Sequence, residues 1–290
     1  MGKKKILVTG ANGQLGKELK DLAPEFPDAE FLFLSREDLP IHHFELVRNV
    51  FDSFKPNYCI NAAAYTAVDK AEAEQELARL INAEAVGVLA AVAASHDCRL
   101  LHVSTDYVYD GKKEGAHSED DQTAPVSVYG KTKLEGEQLG QEFDPQILII
   151  RTSWVYSCYG NNFVKTMMRL MKTREEISVV DDQWGSPTWA KDLASCLMEI
   201  IRHKEWHPGV YNFSNEGKIT WYQFALEIKE RINSSCRINS IPTSSYPTPA
   251  KRPANSLMDK NKIKETFGMQ LTDWKQSLAE CIKQIENSGS

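Results

Sequence analysis

The 290-residue sequence lacks the patterns that mark several common classes of protein. Its six cysteines are scattered and none forms a CxxC pair, so we predict neither a disulfide framework nor a zinc site. No other group of His, Cys, Asp and Glu has the spacing of metal ligands, and we predict no metal. Because the net charge is -6 and only Lys3, Lys4 and Lys5 form a basic run, nucleic acid is not an expected partner.

Long apolar runs are also missing from the sequence. We therefore expect no membrane-spanning segment and no membrane partner, and the N-terminus has no signal-peptide pattern. The scattered cysteines suit a reducing compartment, so the expected location is the cytoplasm. Hydrophobic residues make up 42% of the chain and charged residues 26%, a balance that can build a sizeable core.

Short apolar runs alternate with helical stretches through the first half of the chain, at residues 5–9, 30–34, 57–61, 99–104 and 146–151. This alternation predicts an α/β fold with a doubly wound parallel sheet of the Rossmann type. One long alanine-rich helix is predicted over residues 69–96. We place a dinucleotide-binding domain at residues 1–156, with returns to it around 188–214. A smaller, interleaved substrate-binding lobe is predicted at residues 157–290.

A glycine-rich turn, GANGQLG at residues 10–16, follows the first predicted strand and opens a helix. The spacing is GxxGxxG and not the common GxGxxG. Glycines let a backbone approach a ligand, and free N–H groups at a helix N-terminus attract an anion. Turn chemistry alone is the alternative, but the position after the first strand favours pyrophosphate binding. We assign to the cofactor site Gly10, Asn12, Gly13, Gln14, Leu15 and Gly16, together with the small residues Ala62, Ala63 and Ala64 after the third strand.

Arg36 follows the second predicted strand, where folds of this kind contact the adenosine ribose. An acidic residue there favours the 2′-hydroxyl of NAD, whereas an arginine accommodates the 2′-phosphate of NADP. Arg36 therefore predicts NADPH as the cofactor. The adjacent Glu37 and Asp38 leave NADH open, and a solvated surface arginine is the structural alternative.

Tyr129 and Lys133 are four residues apart in a helix predicted over residues 126–143, so they share a face. A phenol is a weak acid with a reference pKa of about 10, and a nearby ammonium lowers that pKa. Such a pair can act as a general acid that hands a proton to a carbonyl oxygen. A ring packed under a lysine stem is the structural alternative.

Taken in order, the glycine turn, Thr105 after the fourth strand, and Tyr129 with Lys133 resemble the extended short-chain dehydrogenase/reductase family. The stretches AAAYTAVD (62–69), STDYVYDG (104–111), YGKTKLEGE (129–137) and RTSWVY (151–156), with Arg252-Pro253 and Ser256, extend the resemblance over essentially the whole chain. They resemble most the family's reductases of 4-keto nucleotide sugars. The resemblance implies NADPH-dependent reduction of dTDP-4-dehydro-L-rhamnose to dTDP-L-rhamnose, in the synthesis of cell-surface polysaccharide.

The resemblance also implies roles for single residues. Tyr129 donates the proton, Lys133 lowers the pKa of Tyr129 and holds the nicotinamide ribose, and Thr105 polarises the carbonyl group. The resemblance implies that Arg252 pairs with the diphosphate of the substrate. Each role has a structural alternative. Thr105 could be a cap or turn residue, Trp154 a core aromatic and Arg252 a solvated charge. The implied substrate contacts are Val68, Thr105, Asp106, Tyr107, Tyr129, Trp154, Asn161 and Arg252.

One departure from the family pattern bears on the reaction. Sugar-nucleotide 4,6-dehydratases carry an Asp-Glu pair after the threonine, and this chain has Asp106-Tyr107, which argues against water elimination. Two other functions stay open. The first is a nucleotide-sugar epimerase or an epimerase-reductase on another substrate. The second is a non-catalytic regulatory subunit resembling that of methionine adenosyltransferase. The resemblance is also compatible with a homodimer, and the nucleotide base and sugar stereochemistry stay open.

Overall fold

A computed structural model describes residues 2–288 of the chain. The first part contains β1 (Lys4–Thr9), α1 (Gln14–Leu22), β2 (Ala29–Leu34), α2 (Phe44–Phe54), β3 (Tyr58–Asn61), α3 (Val68–Ala71), α4 (Gln75–Arg79), α5 (Ala85–Ser95), β4 (Arg99–Thr105), α6 (Val128–Phe143) and β5 (Leu148–Thr152). The second part contains β6 (Val155–Tyr156), α7 (Phe163–Thr173), β7 (Glu176–Val180), β8 (Trp184–Gly185), β9 (Thr188–Trp189), α8 (Ala190–Arg202), β10 (Gly209–Phe213), β11 (Ile219–Thr220), α9 (Trp221–Arg231), β12 (Arg237–Ile241), α10 (Asn261–Phe267) and α11 (Trp274–Ser288).

Six parallel strands form the central sheet in the order β2-β1-β3-β4-β5-β10. The predicted doubly wound α/β fold is confirmed. The chain reverses direction across the sheet between β1 and β3, so the loops after these two strands diverge and open a crevice at their carboxyl ends. Strand β10 lies inside the range 188–214, where a return to the first domain was expected. The domain boundary at residue 156 stays a prediction.

Helices cover both faces of this sheet because alternate side chains of each strand point to opposite faces. Ile6 of β1 packs in one core with Leu19 of α1 and with α8. Its neighbour Leu7 packs in a second core with Leu89 of α5 and with α2. Each of these four side chains is buried, and burial of one such side chain contributes about 1.5–3 kcal/mol to folding.

A third core lies outside the main sheet. Helices α7, α9 and α11 pack there around a small two-stranded sheet of β7 and β12. Met168, Phe224 and Leu278 are buried in it, one from each helix. This separate core agrees with the expected smaller lobe in the second half of the chain.

The helix predicted as one piece over residues 69–96 is interrupted twice. It breaks between α3 and α4, and residues Leu80–Glu84 form a π-turn between α4 and α5. Asn82 lies in this π-turn, where its Oδ1 accepts from the Tyr65 N–H at 2.8 Å and its Nδ2 donates to the Tyr65 carbonyl at 3.1 Å. The prediction of one regular helix was wrong. The helix changes from α to π type at the point where Asn82 contacts the loop after β3.

Helices α4 and α5, taken together with the π-turn between them, form a helical stretch Gln75–Ser95 of 21 residues that is apolar enough, by length and composition, to cross a membrane. The expectation that no stretch reaches that length was therefore wrong. More than half of its most apolar part is buried inside the protein, where Leu89 and Ala93 belong to the core between the sheet and α2. A helix that is buried among other elements is apolar for that reason.

Gly136 and Gly140 lie on α6 where it packs against the 80–95 stretch, but their surroundings differ. A Cβ atom at Gly136 would lie 2.0 Å from the carbonyl oxygen of Asn82, whereas one at Gly140 would meet the flexible end of Ile147 at 2.9 Å. We expect Gly136→Ala to lower the free energy of unfolding by about 1–3 kcal/mol, because overpacking exceeds the gain in helix propensity. Gly140→Ala is the matched control, with an expected change under about 1 kcal/mol. Urea denaturation measures both, and equal effects would contradict the close contact.

Candidate functional site

A cleft of about 740 Å³ opens at the carboxyl ends of the central strands. It is lined by all the predicted site residues except Gly16 and Arg252, namely Gly10, Asn12, Gly13, Gln14, Leu15, Arg36, Ala62, Ala63, Ala64, Val68, Thr105, Asp106, Tyr107, Tyr129, Lys133, Trp154 and Asn161. The order of strands in the sheet thus brings together residues that are up to about 150 positions apart in the sequence.

The glycine turn packs directly against the loop that follows β3. Gly10 has φ +67, and a Cβ atom there would lie 2.7 Å from the backbone of Ala62 and Ala63. Only glycine fits such a position without strain. The turn and the alanine loop therefore form one surface of the cleft, in which the backbone itself is accessible to a ligand.

Helix α1 begins at this turn, and its first residues, Gln14 and Leu15, line the cleft. Gly13 precedes the helix, no side chain caps it, and the first turn carries no acidic residue. Such a helix N-terminus suits an anion. Gly16 has a different role, since a Cβ atom there would lie 2.5 Å from the carbonyl oxygen of Gly10. It permits close packing of α1 on the turn and does not line the cleft.

Arg36 is exposed at the edge of the cleft, and its acidic neighbours are engaged elsewhere. Glu37 accepts a hydrogen bond from the Ser35 hydroxyl at 2.8 Å, and Asp38 accepts one from the Ser35 N–H at 2.9 Å. These hydrogen bonds lower the pKa of both carboxyl groups. The two acids therefore remain charged beside Ser35. The Arg36 guanidinium interacts electrostatically with Glu37 but makes no hydrogen bond with the residues that the structure describes. His42 also lines the cleft here and was missed, since nothing in its sequence neighbourhood marks it.

Tyr129 enters the cleft from the first turn of α6. The Ser127 side chain accepts from the Gly130 N–H at 3.1 Å and so fixes where this helix begins. The Tyr129 ring meets Tyr107 edge to face, with centroids 5.5 Å apart and planes at 78°. Burial raises the pKa of Tyr129 to about 12, although the hydrogen-bonding Thr105 side chain lowers it. The phenol is therefore protonated at neutral pH.

Thr105 serves two purposes at the end of β4. Its hydroxyl accepts from the Tyr107 N–H at 3.2 Å and donates to Asp106 Oδ1 at 2.9 Å, so it caps the short turn that follows. The same side chain lies beside the Tyr129 hydroxyl. Burial raises the pKa of Asp106 to about 6, against hydrogen bonds from Ser256 and Thr105 that lower it. Thr105 therefore caps the turn, as the structural alternative expected, and also belongs to the site.

Lys133 is buried next to Tyr129, but its ammonium group is held by another element. Its Nζ donates to the Val103 carbonyl at 2.8 Å and lies 3.2 Å from His102 Nε2, both on β4. Burial lowers the pKa of Lys133 to about 8, and Glu137 opposes this change. Burial is the largest cause of the raised pKa of Tyr129, and β4 holds the Lys133 amine. The expected lowering of the Tyr129 pKa by Lys133 stays a prediction.

His102 is a site residue that the sequence analysis missed. Its imidazole is fully buried between Lys133 and Asn61, and Asn61 Nδ2 lies 3.0 Å from its Nδ1. No spacing motif includes it. The available signal was a single polar residue inside the otherwise apolar start of β4, and that signal does not reveal the partner on α6.

Trp154 forms an aromatic wall of the cleft with a second tryptophan. Its ring stacks on Trp221 at a centroid distance of 3.7 Å with an angle of 13° between the planes. Gly185 makes room, since a Cβ atom there would lie 2.8 Å from the Trp154 ring. Trp221 lines the cleft from the start of α9 and was not predicted. Asn161 also lines the cleft and is exposed.

Arg252 does not line the cleft but lies beside it, in an ion pair. Its Nη1 and Nη2 atoms donate to the two carboxylate oxygens of Asp69 at 3.1 and 2.8 Å. Asp69 directly follows Val68, which does line the cleft. The Arg252 guanidinium is thus partly exposed and ion-paired, and a contact to a diphosphate requires it to share or exchange this partner. The contact to the diphosphate stays a prediction.

Comparison with known proteins gives a consistent result. The family model described as the RmlD substrate binding domain matches residues 4–287. A dTDP-4-dehydrorhamnose reductase of Aggregatibacter actinomycetemcomitans is 45% identical over 284 residues, which cover 94% of this chain and 97% of that protein. The crystal structure of a dTDP-4-dehydrorhamnose reductase from Clostridium acetobutylicum has a TM-score of 0.93 and 41% identity, covering 97% of this chain and 99% of that one.

A second solved structure is similar to the same extent. It is the dTDP-4-dehydrorhamnose reductase of Bacillus anthracis in complex with NADP, with a TM-score of 0.93, 37% identity, and coverage of 97% of this chain and 99% of that one. The match extends over the glycine turn, the tyrosine helix and the C-terminal lobe alike. This protein therefore belongs to the RmlD substrate-binding domain family.

Proposed function

We propose that this protein reduces the 4-keto group of dTDP-4-dehydro-L-rhamnose to give dTDP-L-rhamnose, with NADPH as its cofactor. The observation that carries the proposal is the protonated Tyr129 hydroxyl beside Thr105, in a cleft that begins at the glycine turn. The similarity to dTDP-4-dehydrorhamnose reductases, one of them in complex with NADP, supports both the substrate and the cofactor. A nucleotide sugar is thus the partner of this site.

The residues of the cleft fit a phosphorylated dinucleotide. The backbone surface at Gly10 and the uncapped start of α1 at Gly13 would hold the pyrophosphate, and the exposed guanidinium of Arg36 would bind the 2′-phosphate. Lys133, next to Tyr129, would donate to the nicotinamide ribose. When bound, NADPH supplies the hydride that the carbonyl carbon needs.

The chain itself supplies the proton and the orientation. Tyr129 gives the proton of its hydroxyl to the carbonyl oxygen as that oxygen gains charge. The Thr105 hydroxyl can turn from Asp106 to donate to the same oxygen. Val68, Tyr107 and Trp154 would form the walls around the deoxysugar, and Asn161 and Arg252 would contact the phosphates. A cytoplasmic location and a homodimer stay predictions.

Replacing Tyr129 by Phe tests the proposed reaction. The ring volume is kept and only the hydroxyl is lost, so folding and NADPH affinity should hardly change. Because general acid catalysis is typically worth about 100- to 10,000-fold, kcat should fall by that order. Loss of NADPH absorbance gives the rate, and NMR of the product identifies the sugar. A normal rate in Tyr129→Phe would contradict the mechanism, and an epimerised keto product would favour the epimerase instead.

Arg36→Ala tests the choice of cofactor. Loss of a charge-assisted contact should lower kcat/KM for NADPH by roughly 10- to 150-fold and leave kcat/KM for NADH nearly unchanged. Arg48→Ala is the matched control, since Arg48 is also exposed but lies on α2 outside the cleft. If the NADPH to NADH ratio is the same in Arg36→Ala and the wild type, Arg36 does not bind the phosphate.

Arg252→Gln and Asp69→Asn together test the proposed phosphate contact. If Arg252 binds the diphosphate, Arg252→Gln should raise KM for the nucleotide sugar by roughly 10- to 150-fold, with a smaller effect on kcat. Asp69→Asn keeps the guanidinium and removes only its partner, so KM should change much less. Equal changes in the two variants would mean that Arg252 acts only through its ion pair with Asp69.

A further inference from the structure

A chain of buried polar side chains crosses three strands of the sheet and ends at Lys133. Thr9 Oγ1 donates to Asn61 Oδ1 at 2.7 Å, Asn61 Nδ2 lies 3.0 Å from His102 Nδ1, and His102 Nε2 lies 3.2 Å from Lys133 Nζ. All four side chains are buried. Since buried polar groups are kept paired, the position of each proton along this chain can be derived from its partners.

The amide of Asn61 has a fixed orientation. The Ala63 N–H faces Asn61 Oδ1 at 3.2 Å, and a backbone N–H can only donate. The Asn61 oxygen therefore faces Ala63 and Thr9, and its NH₂ group faces His102. His102 Nδ1 accepts this hydrogen bond, so a neutral imidazole carries its proton on Nε2. Burial and the nearby Lys133 lower the pKa of His102 well below its usual range, which keeps the ring neutral.

The Nε2–H of His102 then faces the amine of Lys133. An ammonium group has three donors and no acceptor, so a charged Lys133 would meet a second donor at 3.2 Å. A neutral amine can accept from His102 while it donates to the Val103 carbonyl at 2.8 Å. We propose that His102 is a positioning residue, which holds Lys133 through its Nε2–H group and favours the neutral form of that amine.

The other groups around Lys133 do not reverse this preference. Glu137, one turn further along α6, favours the ammonium, but its carboxylate is bound by Arg151 of β5 at 2.6 Å and by the Ser104 hydroxyl of β4 at 2.5 Å. Tyr129, one turn earlier, is neutral because burial raises its pKa to about 12. Burial lowers the pKa of Lys133 to about 8, even though Glu137 acts in the opposite direction.

The consequence for turnover rests on the proposed function. The Lys133 ammonium stabilises the Tyr129 phenolate that forms when the proton leaves, so the protonated lysine is the active form. Because the Lys133 amine is buried and faces the His102 Nε2–H, we expect the alkaline fall of kcat to follow the loss of the Lys133 proton and to come before the loss of the Tyr129 proton. His102 thus limits the alkaline range of the enzyme without touching the substrate.

His102→Gln tests this consequence, with His96→Gln as the matched control. The glutamine amide can turn its oxygen towards Lys133 and accept from the ammonium, so the alkaline fall of kcat should move up by roughly one pH unit or more. His96 lies at the end of α5 against Asp52, and its replacement should leave the profile unchanged. A lower kcat with the alkaline limb unmoved would reduce His102 to a packing role and overturn the proposal.

A second measurement needs neither substrate nor cofactor. In the wild-type protein with ¹⁵N-labelled histidine, NMR should show His102 as the neutral Nε2–H tautomer over roughly pH 6 to 9. The signal is assigned by its loss in His102→Asn, whose side-chain oxygen can still accept from Asn61. A ring protonated on Nδ1, or charged in this range, would overturn the proposal even if the glutamine variant fails to fold. The result is also independent of whether the enzyme reduces the proposed sugar.

Discussion

The site depends on how closely α6 approaches the backbone of its neighbours. A Cβ atom at Gly130 would lie 2.3 Å from the Tyr107 carbonyl oxygen, and one at Gly136 would lie 2.0 Å from that of Asn82. No other residue type permits such contacts. Gly130 lies inside the Tyr129 to Lys133 segment and Gly136 lies three residues beyond it, so the helix can bring the phenol beside Thr105 and the amine against β4. The geometry of the proposed catalytic residues is therefore a consequence of backbone packing, and the π-turn that carries Asn82 contributes to this packing.

Close packing also determines the charges in the cleft. Burial favours the uncharged form of every titratable group, so it raises the pKa of Tyr129 and lowers that of Lys133. The phenol consequently keeps its proton at neutral pH, as a proton donor must. The amine remains only partly charged near its pKa of about 8, and its charge matters most once a phenolate forms. In the proposed mechanism the acid is thus stabilised in its protonated form before reaction, and the lysine acts on the phenolate that proton transfer leaves.

Much of this arrangement could be predicted from the sequence, because the carboxyl ends of parallel strands meet at one edge of a sheet. That rule placed Gly10, Ala62 and Thr105 together once the strands were recognised. Contacts between distant segments were not predictable in the same way. His102 lies between the apolar residues Leu101 and Val103 and belongs to no motif, and the partner of Arg252 lies 183 residues away. The break in the 69–96 helix likewise follows from a side chain that binds a loop, which helical periodicity does not encode.

The backbone at Trp154 bears on the choice between a core aromatic and a substrate wall. Its φ of +49 is unfavourable for a bulky residue, and such strain typically costs about 1–3 kcal/mol. Stacking on Trp221 and the space left by Gly185 hold the ring in place and offset part of that cost. A tryptophan that served only the core would need no such backbone. Since strained residues cluster at ligand sites and this ring lines the cleft, the conformation favours a wall that is oriented before the sugar binds.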